Sequence, residues 1–194
     1  MIKKNIKFNK GFTLVETLVA IAIFSTSLLG LLSILASSIS DTTYAKQKMT
    51  ADYLAQEGIE TIRNMRDTFA LYDTTSGQHG WDAFNAYLST HSCTTLPNGC
   101  YFNIDNIFSI APPQPMTKIT LLACSSPACA SNPILYVSTT GKYGYIGVNS
   151  GFSRQIKITQ INANETRVFS TVYWKQGSGS YSITFSEDLF NWIE

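Results

Sequence analysis

The 194-residue sequence is poor in charge, in histidine and in early proline or cysteine, and each shortage excludes something. Charged side chains make up only 14% of the chain and sum to +1, so the basic surface of a nucleic-acid-gripping protein is missing. The two histidines, His79 and His91, sit in polar, loop-like stretches. No Gly-x-Ser-x-Gly, glycine-rich phosphate loop or His-x-x-x-His spacing accompanies them, so the sequence reads as that of a non-enzyme with no cofactor. The first cysteine is Cys93 and the first proline Pro97, so nothing earlier cross-links the chain or breaks a helix through proline. Apolar residues are not scarce: at 44% they suffice for a core and rule out wholesale disorder.

What remains is unevenly placed. Lys3, Lys4, Lys7 and Lys10 give the first ten residues +4 with no acid among them. Loss of residues 1–11 would leave 14 − 4 = 10 basic against 13 acidic side chains, a net charge of −3. Residues 17–40 carry no charge, and fourteen of the twenty residues 17–36 are Ala, Val, Ile, Leu or Phe. Twenty helical residues span the ~30 Å hydrocarbon core of a bilayer. The segment therefore predicts a transmembrane helix, with the basic leader cytoplasmic and everything after Asp41 outside the cytoplasm. A secretory signal peptide pairs the same features, but its apolar run is about 7 to 15 residues long and ends in a small-x-small cleavage site. Here the run is longer, no tidy site precedes Ala36, and an acid, Glu16, lies at its start. A carboxylate at that depth is costly and needs a partner.

The run Lys10-Gly11-Phe12-Thr13-Leu14-Val15-Glu16-Thr17-Leu18 resembles the N-terminal motif of type IV prepilins and of the pseudopilins of type II secretion. The resemblance implies cleavage between Gly11 and Phe12 by a membrane prepilin peptidase, N-methylation of Phe12, and a role for Glu16 in assembly. It implies as partners other pilin subunits, the peptidase, a membrane assembly platform, and lipid before assembly. It also implies an α+β fold: a pilin-like lollipop in which a long N-terminal helix, transmembrane then amphipathic, packs on an antiparallel β-sheet head. One departure is that many pilins carry a proline within this helix; here only Gly30 and Ser25-Thr26-Ser27 soften it. The closing stretch, Trp174-Lys175 to Asp188-Leu189-Phe190-Asn191-Trp192, is loosely similar to the tails of minor pilins of the PilV kind and of pseudopilin I. The implied function is a filament subunit, minor rather than major. The alternatives are a type II secretion pseudopilin, or a tip pilin with an adhesive or DNA-uptake head.

The implied organisation is a cytoplasmic leader at 1–11, a transmembrane and filament-core helix at 12–40, an amphipathic continuation at 41–68, and an extracytoplasmic head at 69–194. Ala51, Leu54, Gly58, Ile62, Met65 and Phe69 recur at spacings of three and four and define the apolar face of a helix ending near Arg66. Arg63 and Arg66 complement the dipole at its end. In the head, a short helix is expected at Asp82–Leu88 and weaker strands at Ile119–Ala123, Ile134–Val137 and Tyr143–Val148. A meander follows at Phe152–Ile161, Arg167–Lys175 and Tyr181–Phe185, with Gly177-Ser178-Gly179 as its last turn, giving four to six strands.

Cys93, Cys100, Cys124 and Cys129 all lie in the head, where an oxidising compartment favours disulfides and three connectivities are open. Short loops favour Cys93 with Cys100, around Pro97-Asn98-Gly99, and Cys124 with Cys129, around Pro127. Four thiolates on zinc are the sharper alternative, but no Cys-x2-Cys spacing supports a metal. Asn164-Glu165-Thr166 fits a glycosylation sequon and equally a turn before a strand.

Overall fold

A computed structural model describes residues 11–71, 80–94, 98–102, 120–137 and 139–192. The chain divides into two compact units, Met1–Ala45 and Lys46–Glu194. The expected turn residue Pro97, the leader lysines, His79 and Ile119 lie outside the described residues.

Helix α1 runs Leu14–Leu71, 58 residues, and contributes to both units. Leu and Ala, both good helix formers, supply 16 of its 58 residues, no proline interrupts it, and Gly30 and Gly58 each cost only about 1 kcal/mol against alanine. Its end lies beyond Arg66 because Phe69 is a core residue and must be delivered on the same helical face as Ile62 and Met65.

The second unit combines residues 46–71 of α1 with α2 (Gly80–Thr90) and one antiparallel sheet. Its strands are β1 (Cys100–Phe102), β2 (Leu121–Ala123), β3 (Pro133–Val137), β4 (Lys142–Gly144), β5 (Val148–Asn162), β6 (Glu165–Gln176) and β7 (Gly179–Phe190). The fold class is α+β, as expected. β5 is the spine: β6 pairs along one edge and carries β7, while β3 and then β1 share the other edge, carrying β4 and β2.

The seven strands among the described residues exceed the expected four to six. The three-residue β1 has too little sequence to show a period. The expected run Tyr143–Val148 is not one strand: β4 stops at Gly144, residues 145–147 bend with Gly147 at φ 127°, and Val148 opens β5. The turn at Gly177 is present, with φ 57°. β7 continues past Phe185 to Phe190, which buries Leu189.

The core lies between α1, α2 and the sheet. Ile59, Ile62, Met65 and Phe69 meet Trp81, Phe84 and Leu88 of α2 and Ile156, Ile158 and Val168 of the sheet. At the other end of this face, five rings cross five strands: Tyr136–Tyr143 at 5.0 Å between centroids, Tyr143–Phe152 at 6.3 Å, Phe152–Trp174 at 6.4 Å and Trp174–Tyr181 at 5.7 Å. Such cross-strand aromatic pairs stabilise a sheet by up to about 1 kcal/mol each.

Candidate functional site

Gly11, Phe12 and Thr13 precede the helix, non-helical and exposed. Thr13 makes the start: its Oγ1 accepts the Glu16 N–H at 3.3 Å and its carbonyl accepts the Thr17 N–H at 3.2 Å. This is an N-cap, and Thr13-x-x-Glu16 has the spacing of a capping box. Glu16 therefore stands in the first turn, where the helix dipole favours a carboxylate. Among the described residues it forms no salt bridge.

From Leu14 to Ser40 every residue of α1 is exposed. An 18-residue stretch has a mean hydropathy of 2.4 and no buried residue, so the helix is long and apolar enough to cross a membrane. Several hydroxyls along it bond back to the helix and so bring no unsatisfied donor with them into an apolar medium: Thr26 to the Ala22 and Ile23 carbonyls at 3.1 and 3.0 Å, Ser27 to Ile23 at 2.8 Å, and Ser37 to Ile34 at 2.9 Å. An exposed apolar surface of this extent needs lipid or other helices against it.

In the second unit, α1 is fixed to the sheet by groups that hydrophobic periodicity does not reveal. Arg154, fully buried on β5, gives Nη1 to the Leu54 carbonyl at 2.9 Å and to Glu57 Oε2 at 2.8 Å, and its guanidinium lies 4.1 Å from the Phe102 ring centroid. Nothing local in the sequence marks the partner of Arg154, 97 residues away. Burial pushes the Tyr145 phenol up to about 12, with Arg154 pulling the other way. Gly58 brings the helix backbone against Ser170 and Ile156. Arg63 and Arg66 make tertiary contacts instead of capping a helix end: Arg63 bonds Glu187 and Glu60, while Arg66 pairs with Asp67 and stacks on Trp192 at 5.6 Å. The hydrogen bond to Glu187 chiefly holds Arg63 above its usual pKa.

The structure pairs Cys93 with Cys100 and Cys124 with Cys129. All four sulfurs are thus in disulfides and not available as thiolates. No cluster of metal-ligating side chains occurs among the described residues. The Nδ1 of His91 lies 2.8 Å from the Tyr87 carbonyl and its ring packs against that of Tyr87. Asn164 lies in the β5–β6 turn, its N–H bonded to Asn162 Oδ1 at 2.8 Å. Thr166 of the sequon is buried and donates to Asn85 Oδ1 at 2.8 Å.

A family model described as the prokaryotic N-terminal methylation motif matches residues 6–38. The match contains Gly11, Phe12 and Glu16 and most of the exposed apolar helix. No curated protein matches the chain, and no solved structure does.

Proposed function

We propose that this chain, whose residues 6–38 match the N-terminal methylation motif, is a type IV pilin-like subunit and specifically a minor pilin, cut after Gly11, N-methylated at Phe12 and assembled through α1. The observation that carries this is a cleavage motif joined without a break to an apolar helix with no covered residue from Leu14 to Ser40. Before assembly that helix crosses the cytoplasmic membrane once, with the head outside the cytoplasm; afterwards the same surface packs against neighbouring helices in the filament. The partners are other pilin subunits, a prepilin peptidase and a membrane assembly platform. No catalytic role is assigned to the head.

Cleavage creates an amine on Phe12, four residues before Glu16. In an apolar filament core the pair offsets part of its own desolvation, and an axial slip that separates it leaves a buried carboxylate unpaired, at about 3–5 kcal/mol. Register is the gain. Glu16→Ala is therefore expected to enter the membrane normally and to be poorly incorporated into filaments, as read by immunoblot of membrane and sheared-filament fractions. Normal incorporation would refute the register argument. Absence of proline from α1 favours a minor over a major subunit.

The reading itself is tested by expressing the chain with a prepilin peptidase and measuring the intact mass. The expected product begins at methylated Phe12. A chain retaining Met1 in a peptidase-competent cell would overturn it. A type II secretion pseudopilin has the same N-terminal chemistry, and deletion with separate assays of pili and of secreted protein distinguishes the two.

A further inference from the structure

The sheet face turned away from α1 carries a groove that the filament reading does not use. Strand alternation places Ser153 of β5, Tyr173 and Lys175 of β6 and Ser180 of β7 there, because Arg154 and Val172 point to the helix side. Register aligns them, Ser153 opposite Tyr173 and Lys175 opposite Ser180. Ala128, Ala130 and Pro133 form a wall, Asn149 and Gly151 close one end, and Phe152, Trp174 and Tyr181, which alternate with these outer-face residues along the strands, complete the lining. The space measures about 540 Å³, within the roughly 300–1,000 Å³ of small-ligand sites.

The wall is held in an uncommon conformation. Ala128 and Cys129 have φ of 58° and 48°, left-handed for two consecutive residues that are not glycine. Such backbone costs about 1–3 kcal/mol per residue, persists only where surroundings enforce it, and concentrates at ligand clamps. Here the enforcement comes from the Cys124–Cys129 disulfide and from Ser153 Oγ, which donates to the Ala128 carbonyl at 2.9 Å. A wall fixed in this way needs no further ordering when a ligand arrives.

The lining chemistry is specific. Tyr173 is half-buried and oriented by its hydroxyl, which donates to Gln155 Oε1 at 3.0 Å. Lys175 is the one charged residue of the lining, is exposed, and forms no salt bridge among the described residues. Beyond Ser180, the exposed Ser182, Thr184 and Ser186 continue a row of hydroxyls along β7. An aromatic ring, one unneutralised cation and a hydroxyl and amide rim match a ring that has an apolar face, several hydroxyls and one carboxylate. A polynucleotide, with a phosphate at every step, needs a run of cations that the groove lacks.

We propose that this groove binds an acidic saccharide, a uronic-acid-containing glycan, with Tyr173 against the sugar ring and Lys175 pairing with the carboxylate. The inference does not depend on processing at Gly11 or on filament assembly.

The test uses the full chain in detergent micelles, titrated calorimetrically with trigalacturonate, with the neutral galactose trimer and with oligothymidylate. Saturable binding is expected for trigalacturonate above both others. Loss of the charge-assisted contact in Lys175→Gln should weaken it about tenfold. Ala130→Trp, which fills the groove from an exposed wall position and removes no contact, should abolish binding while the unfolding transition stays in place. The proposal is overturned by no saturable binding, by equal affinity for the neutral trimer, by preference for oligothymidylate, or by binding that survives Ala130→Trp.

Discussion

Gly58→Ala sets two opposed effects against each other, and the structure says which wins. In an isolated helix alanine is more favourable than glycine by about 1 kcal/mol. Here a methyl group at position 58 would run into Ser170 Oγ, with Ser170 Cβ at 3.0 Å and Ile156 Cδ1 at 3.1 Å. Ser170 is fully buried on β6, a strand hydrogen-bonded on both sides, so it cannot retreat without disturbing the sheet. Overpacking of this kind costs about 1–3 kcal/mol. The net expectation is a loss of up to about 2 kcal/mol, with a fall in Tm of about 2–4 °C per kcal/mol for a unit of this size. Urea unfolding of the full chain in detergent, followed by tryptophan fluorescence, reads it, because Trp81 and Trp174 are both buried in the second unit. Ser170→Ala removes the nearest obstructing atom, a buried hydroxyl with no hydrogen-bond partner among the described residues, at little cost of its own. In the double variant the two changes should couple favourably by at least about 0.5 kcal/mol. A Gly58→Ala chain more stable than the parent, or strict additivity with Ser170→Ala, would refute the close-approach argument.

Two further perturbations address the polar contacts. Glu57→Gln leaves the buried Arg154 without a carboxylate and should destabilise the second unit by about 1–3 kcal/mol in the same urea assay, despite the partial exposure of Glu57; an unchanged midpoint would show the pair to be energetically idle. The hydrogen bond from Arg167 holds the Asp188 carboxyl below its usual range, so its contribution is present above about pH 4, the unfolded value, and is lost as pH falls through the lower folded value. Asp188→Asn should therefore flatten the acid limb of the stability–pH curve below about pH 4, and an acid limb identical to that of the parent would refute the assignment.

How much could be read in the sequence follows from how local each signal is. The N-terminal site is contiguous: lysines, Gly11, Phe12, Glu16 and an uncharged run stand in order, and Thr13 is already in the capping position before any tertiary contact exists. The apolar face of α1 and the β5–β6–β7 meander were legible for the same reason, since periods of 3.6 and 2 repeat over ten or more residues. β1 was not, because three residues carry no period. Tyr143–Val148 misled because a β-rich composition does not show that Gly147 bends the chain between two strands. By sequence Arg154 is one more position on an alternating strand, whereas among the described residues its guanidinium is the one fully buried charge.

The sequence by itself therefore determined a helix long and apolar enough to cross a membrane, the N-terminal methylation motif and the α+β class, all of which rest on neighbours along the chain. Tertiary structure alone decided how the head is held on its helix. Arg154 meets Glu57 across 97 residues and Arg63 meets Glu187 across 124, and no local pattern encodes which distant partner a charge will find. Tertiary structure also decided that the loop closed by Cys124 and Cys129 stands over the outer sheet face, because only the β5–β6 register brings Ser153 and Tyr173 beneath Ala128. Desolvation is the physical reason for the division. Hydrophobic periodicity is paid out along each element, whereas a buried ion pair or a shaped groove exists only once the elements have excluded water between them.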